Sequence, residues 1–280
     1  LDTDSVVRSA ALRAVGGARS DQLWPHAVAL LRDPHVEVRR AAADTLAHSG
    51  DAALKPLAAL LASADADRAA RQRAAGVLGA IGSVAARRCL LQHLVIPDRR
   101  IGEAVLFALR PAPRLDDEER RALRDHQNQL IARAVQTTAW RAALDAAPQA
   151  GAAPVLRRAL SDQLESDLKG LFHVLALLHP EADMADAWTS FRSADAARRA
   201  ITVEAVETLL QTDVRAAVLA LLEHDDDRRC LSALPADYRP AAPVTGDVAR
   251  TVFDAPASMV TPWTRAVALY TLIKAGAAVA

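Results

Sequence analysis

Thiol and imidazole side chains lie at a spacing that places them on one face of a helix. Cys89 and His93 are four residues apart, and both side chains are ligands that zinc accepts. A closed zinc site needs two further ligands, and none is close in sequence, so His126 and Cys230 would join only by tertiary coincidence. We therefore interpret Cys89 as a packing residue and His93 as a surface residue, and we expect no metal.

Two acidic runs have the side chains that a hard cation or acid–base catalysis would need. His224–Asp227 lacks the glycine and the distal glutamate of a calcium-binding loop. In the run from Asp116 to Arg121 the acids precede the bases, which is typical of a helix N-terminus. We interpret both runs as helix starts. No phosphate-binding, dinucleotide-binding, zinc-protease, nucleophile-elbow or CxxC motif is present, so we expect neither an enzyme nor a cofactor.

A repeat organises the N-terminal part of the chain. Similar segments begin near Asp2, Asp33 and Asp65, and their arginines, Arg8, Arg39 and Arg71, are 31 and 32 residues apart. Apolar segments at helical spacing lie between the copies. Each unit is therefore predicted to be a pair of amphipathic helices.

Local chemistry explains the spacing that recurs in each unit. An aspartate such as Asp33 or Asp65 is predicted to cap the following helix, with Pro34 in its first turn. The arginine that follows is expected to pair with the aspartate of its own or the neighbouring turn, or with turn carbonyls. Gly50 and Gly82 are predicted to end their helices in a left-handed conformation. Because one pair cannot bury its apolar face alone, the pairs must stack.

The chain as a whole is predicted to be all-α. Residues 1–95 read as regular repeats, and residues 96–280 as degenerate repeats with longer helices, over 116–145 and 153–178 among others. Residues 234–247 are predicted to be the main loop. We expect one continuous α-solenoid, a right-handed superhelical stack of antiparallel helix pairs.

The repeat resembles HEAT repeats, and in particular the short type also found in phycobilisome-lyase-like proteins. The positions that carry this resemblance are Asp33, Val38, Arg39, Ala42, Leu46 and Gly50. The resemblance implies a scaffold whose concave surface, lined by the second helix of each unit, binds a protein partner or a neighbouring domain. A bilin lyase or chaperone is a further reading that rests on the repeat type alone.

Residues 140–275 have a narrower resemblance. The segments from Leu171 to Leu178, Ser193 to Leu210 and Pro262 to Tyr270 resemble, in that order, the soluble HEAT region of bacterial nucleotide-translocase-like or major-facilitator-like proteins. That resemblance implies a cytoplasmic module, tethered to the inner membrane through an N-terminal part that precedes Leu1.

Large aromatic side chains are the remaining candidates for recognition. Trp140, Trp188 and Trp263 are candidate interaction residues, although core packing is the usual role of tryptophan. Trp140 with Arg141 and Asp145 is similar to the residue set of HEAT-like glycosylases that act on alkylated bases. A DNA-binding protein or glycosylase of that kind is therefore the alternative function.

Composition argues against that alternative. Lys+Arg and Asp+Glu are both 34, and only three residues are lysine, whereas a DNA groove is usually basic. Two cysteines suit a reducing, cytoplasmic compartment, and no apolar stretch is long enough to span a bilayer. The preferred hypothesis is a non-enzymatic interaction scaffold.

Overall fold

The computed structural model describes residues 4–18, 22–94, 98–110, 115–146, 153–182, 184–240 and 246–276. Over these residues the chain forms helices joined by turns, with no strand, so the predicted all-α fold is confirmed. The helices are α1 (Ser5–Ala18), α2 (Trp24–Ala29), α3 (Val36–His48), α4 (Leu54–Ala62), α5 (Arg68–Ile81), α6 (Val84–Gln92), α7 (Arg99–Leu109), α8 (Asp117–Ala146), α9 (Ala153–Leu178), α10 (Ala187–Phe191), α11 (Ala196–Leu209), α12 (Thr212–Glu223), α13 (Asp227–Ala233), α14 (Val248–Asp254) and α15 (Pro262–Lys274).

The chain divides into two compact units, Leu1–Ala122 and Leu123–Ala280. The division falls within α8 and not at residue 95, where the sequence repeat loses its regularity. The long helices predicted over 116–145 and 153–178 are present as α8 and α9. The continuity of the repeats as one right-handed solenoid stays a prediction.

The first unit is a two-layer stack of helix pairs. The first helices of successive pairs, α1, α3, α5 and α7, pack side by side in that order, and α2, α4 and α6 form the second layer. Small residues allow close packing, because a Cβ added at Gly79 of α5 would lie 2.5 Å from the carbonyl oxygen of Ala108 in α7. Neighbouring pairs therefore bury each other's apolar faces, as a stacked repeat requires.

Ion pairs connect neighbouring repeats in this unit. Arg8 donates to both carboxylate oxygens of Asp33, at 2.8 and 3.0 Å, and both side chains are over 90% buried. The guanidinium holds the pKa of Asp33 below its usual value. Arg68 makes a similar contact two repeats later, with its Nε 3.0 Å from the carboxylate of Asp98. In both contacts an arginine of one repeat thus pairs with an aspartate of the next repeat.

The other repeat arginines bond to main-chain carbonyls instead. Arg39 donates to the carbonyl oxygens of Asp33 and Pro34, at 2.7 and 2.8 Å. Arg71 donates to the carbonyl oxygen of Leu61 at 2.9 Å, while Asp65 is exposed. The carbonyls at the C-terminal end of a helix lack partners within it and accept such bonds. Asp2 lies outside the described residues.

The predicted capping pattern needs correction at two turns. Asp67, not Asp65, caps α5, since its carboxylate accepts the N–H of Ala70 at 2.9 Å. The helix after Asp33 begins only at Val36, so Pro34 lies before its first turn. Asp33 accepts the N–H of His35 instead and is thereby held for Arg8. An aspartate in the turn serves the ion pair in one repeat and the cap in the next.

The glycine positions agree with the sequence analysis. Gly82 ends α5 with a φ of 63°, and its N–H bonds to the carbonyl of Leu78. Gly50 follows α3 with a φ of 61°. Positive φ favours glycine, which has no Cβ to clash with the backbone.

The start of α8 is more deeply packed than its acidic sequence indicates. Glu119 is fully buried, and its carboxylate accepts Arg87 Nε at 2.8 Å and the N–H of Asp116 at 2.8 Å. Asp116 in turn accepts the N–H of Glu119 at 2.8 Å, which completes a capping box. Glu118 beside it is exposed and pairs with Arg88. The acidic run therefore connects α8 to α6, and Glu119 is its fully buried contact.

The second unit is built on α9. Gln163 of α9 is 1% exposed; it donates to Thr137 of α8 and to the carbonyl of Met259, and accepts the N–H of Thr261 before α15. One apolar cluster surrounds Phe172 and another surrounds Leu156. A buried, fully bonded glutamine at the centre fixes how these segments meet.

Candidate functional site

An open groove runs along α11 in the second unit, with a volume of 450 Å³. Its apolar lining comes from α10, α11 and the end of α12. The apolar residues are Phe191, Ala196, Ala200, Val203 and Leu222. We call this surface the α11 groove.

Charged side chains form the rim of the α11 groove. These are Arg192, Arg199, Glu204, Glu207, Glu223 and Asp225, all of them exposed. Arg192 lies 3.6 Å from Glu165. Within the described part of the chain, no ion pair engages the other five. The groove therefore presents four carboxylates and Arg199 without counter-charges.

The helix α11 has one covered and one uncovered side. Asp195 caps its start by accepting the N–H groups of Ala197 and Arg198. Thr202 and Val206 are buried, and α10 and α12 pack against the helix. Ile201, which is not among the groove-lining residues, is 66% exposed. A helix of a stacked repeat normally has a neighbour along such an apolar edge.

Aromatic packing holds the wall of the groove in place. Phe191 lies 5.4 Å from the ring of Phe172 and 5.9 Å from that of Trp188. Phe172 is 1% exposed, so the group is anchored in the core. Arg192 stacks over Trp188 at 5.9 Å. This side of the groove is thus packed against the core of the second unit.

Residues 1–70 match the family of HEAT repeats. The match covers the first part of the two-layer stack and ends in the first turn of α5. No curated protein matches the chain. The match lies wholly within the first unit, while the α11 groove lies in the second.

The glycosylase-like set of Trp140, Arg141 and Asp145 makes contacts within the chain. Trp140 is 2% exposed, Arg141 lies 3.2 Å from Asp227, and Asp145 pairs with Arg157. Burial raises the pKa of Asp227, and it raises that of the nearby Cys230 to about 11. Trp140 is therefore buried, and Arg141 and Asp145 are each paired with another residue of this chain. Trp140 is also unsuited to bind a partner.

The other two tryptophans differ in exposure. Trp188 is half-buried behind Phe191 and supports the groove. Trp263 is 64% exposed on α15 and shares its face with Tyr270 and Ile273, which are also exposed. Only Trp263 of the three candidates offers its ring to solvent.

The sequence candidates for metal binding are not assembled into a site. His93 Nδ1 lies 2.7 Å from the main-chain oxygen of Cys89, and burial raises the pKa of the Cys89 thiol. Asp226 caps α13, and Asp227 is held by Arg141. Among the residues that the structure describes, no group of three or more His, Cys, Asp or Glu is placed to hold a metal ion.

Sequence reasoning missed the α11 groove. Its signal was present in the spacing of Ala196, Ala200 and Val203, with Glu204 and Glu207 alongside. This i, i+4, i+7 pattern marks one helix face. The sequence does not tell whether another helix covers that face.

Proposed function

We propose that this chain is a non-enzymatic protein-interaction module and that the α11 groove binds a segment of a partner polypeptide. The observation that carries the proposal is the groove itself, an apolar floor with a charged rim along an exposed helix face. Such a surface resembles the grooves into which amphipathic segments dock.

The fold supports this proposal. HEAT repeats commonly serve as interaction scaffolds, and residues 1–70 match them. A stacked-repeat fold offers extended surfaces for binding. No helix among the described residues is long and apolar enough to cross a membrane. A cytoplasmic location and a tether to a transporter remain proposals that the complete reading frame would test.

The alternative, a nucleic-acid binder or glycosylase, gains no support from the geometry. Arg141 and Asp145 are each engaged in an ion pair, and Trp140 is buried. The rim of the α11 groove carries more carboxylates than guanidinium groups, and these repel phosphates.

Site-specific photo-crosslinking in cells tests the proposed function. A benzophenone side chain replaces Ala200 in the groove, and in a matched control it replaces the exposed Ala80 of α5. We expect a discrete polypeptide adduct from position 200 and none of the same mass from position 80. Identical adducts at both positions, or none at position 200, would contradict the proposal.

A further inference from the structure

The chemistry of the α11 groove points to the class of its partner. We propose that the groove takes a basic amphipathic helix of a partner protein, an inference that rests on the proposed function. Its apolar side would lie on the floor near Val203, and its basic side chains would pair with Glu204 and Glu207.

The dimensions of the groove suit a helix. The groove-lining residues of α11 extend from Ala196 to Glu207, which corresponds to about 17 Å, or three helical turns. Ala196 and Ala200 are small, so a second helix can approach α11 closely, as α7 approaches α5 at Gly79. The described residues contain no strand whose edge could pair with an extended peptide.

The charge on the rim selects a basic partner. Four carboxylates face two arginines, and Arg192 already has Glu165 and Trp188 as neighbours. Like charges on one rim are relieved when cationic side chains bind between them. A metal ion is a poor alternative, because no three of the described acidic, His or Cys side chains converge on one point.

The position of Arg199 indicates the orientation of a bound partner helix. It lies in the N-terminal half of the groove face of α11, whereas Glu204 and Glu207 lie in the C-terminal half. A partner helix is therefore expected to place its basic residues toward the end of α11. An acidic residue or the helix C-terminus would then lie beside Arg199.

Titration with designed peptides tests the charge preference. The probe is a labelled, capped helical peptide of about 14 residues, long enough to span the groove, with leucines on one face and lysines beside them. A control peptide carries glutamate in place of each lysine. Fluorescence anisotropy measures both on the full chain, with Glu204→Lys/Glu207→Lys as the variant and Glu37→Lys/Asp44→Lys on α3 as its charge-matched control.

We expect the basic peptide to bind about tenfold more tightly than the acidic one, as two rim ion pairs would provide. Glu204→Lys/Glu207→Lys is expected to abolish this preference, and Glu37→Lys/Asp44→Lys to retain it. Because all four positions are exposed, the variants should keep the wild-type circular dichroism spectrum. Equal binding of both peptides, or an equal loss in both variants, would overturn the inference.

The photo-crosslink separates this inference from the proposed function. If the adduct at position 200 persists undiminished in Glu204→Lys/Glu207→Lys, the basic partner is wrong and the interaction function stands. If the wild-type chain gives no adduct, the function itself is wrong. Loss of the adduct in this variant alone supports both.

Discussion

Replacing Glu119 by glutamine removes a charge from the contact between two repeats while preserving the size of the side chain. Glu119 is fully buried and accepts two bonds of 2.8 Å, one from Arg87 Nε and one from the N–H of Asp116. A glutamine has one acceptor oxygen, so its amide must face one of these two donors. Arg87, 12% exposed, would also lose its counter-charge.

The expected cost is about 3 kcal/mol in the free energy of unfolding, at the low end for a broken buried pair, because Arg87 keeps its bond to the carbonyl of Gly82. Because a chain of two compact units need not unfold in a single transition, the stability of this region has to be measured locally. Hydrogen–deuterium exchange under EX2 conditions does so through the peptides of α6 and α7. Glu118→Gln is the matched control. Its side chain is 69% exposed, so we expect less than about 0.5 kcal/mol.

A double-mutant cycle with Arg87→Met isolates the pair itself. We expect Arg87 and Glu119 to be coupled by at least about 1.5 kcal/mol. A Glu119→Gln variant as stable as Glu118→Gln, or a coupling near zero, would refute the reasoning that this pair holds the two repeats together.

Three further outcomes are expected. Burial, with a nearby arginine, lowers the pKa of His126 to about 4, so this residue should lower the free energy of unfolding by about 3 kcal/mol as the pH drops from about 6.5 to 4. In urea titrations, the free energy of unfolding of His126→Phe should depend less on pH than that of the wild type. The same pH dependence in both proteins would contradict this. Gly79→Ala, whose Cβ would meet Ala108, should destabilise the protein by about 2 kcal/mol. Gly76→Ala, whose Cβ would enter open space, should stabilise it by about 0.5 kcal/mol. Equal effects of the two substitutions in thermal melts would argue against the close crossing of α5 and α7. Asp33→Asn should lower the free energy of unfolding by about 2 kcal/mol at pH 7. Because the pKa of Asp33 is lowered in the folded protein, the difference between variant and wild type should shrink as the pH falls below about 4. A difference that does not depend on pH would exclude the ion pair as its cause.

Much of the fold could be predicted from the sequence, because helix propensity and repeat spacing are local signals. The spacing of Arg8, Arg39 and Arg71 identified the stacked pairs, and Gly50 and Gly82 marked turns with positive φ. The partners of these arginines were less predictable. A guanidinium can reach a carboxylate or a carbonyl at similar distances, and the choice depends on where each turn places its oxygen atoms.

Burial of charged residues was the least predictable feature. Glu119 lies in an acidic run typical of a solvated helix start, yet Arg87, 32 residues earlier, covers it. Trp140 and Arg141 gave a glycosylase-like pattern, but α13 supplies Asp227 to pair with Arg141. Such contacts join distant segments, so spacing within one segment contains no signal of them.

The candidate site escaped prediction for the same reason. The segment from Ser193 to Leu210 stands out in the sequence through its family resemblance, and α11 lies within it. Whether the face with Ala200 and Val203 is covered depends on how α10 and α12 fold back.

Hydrogen–deuterium exchange of the full chain with the polypeptide captured at position 200 tests the central claim most directly. Binding in the α11 groove predicts slower exchange over residues 196–207 and unchanged exchange over Val36–His48. Protection confined to the first unit, or to α15 around Trp263, would contradict the account and place the interaction on another surface.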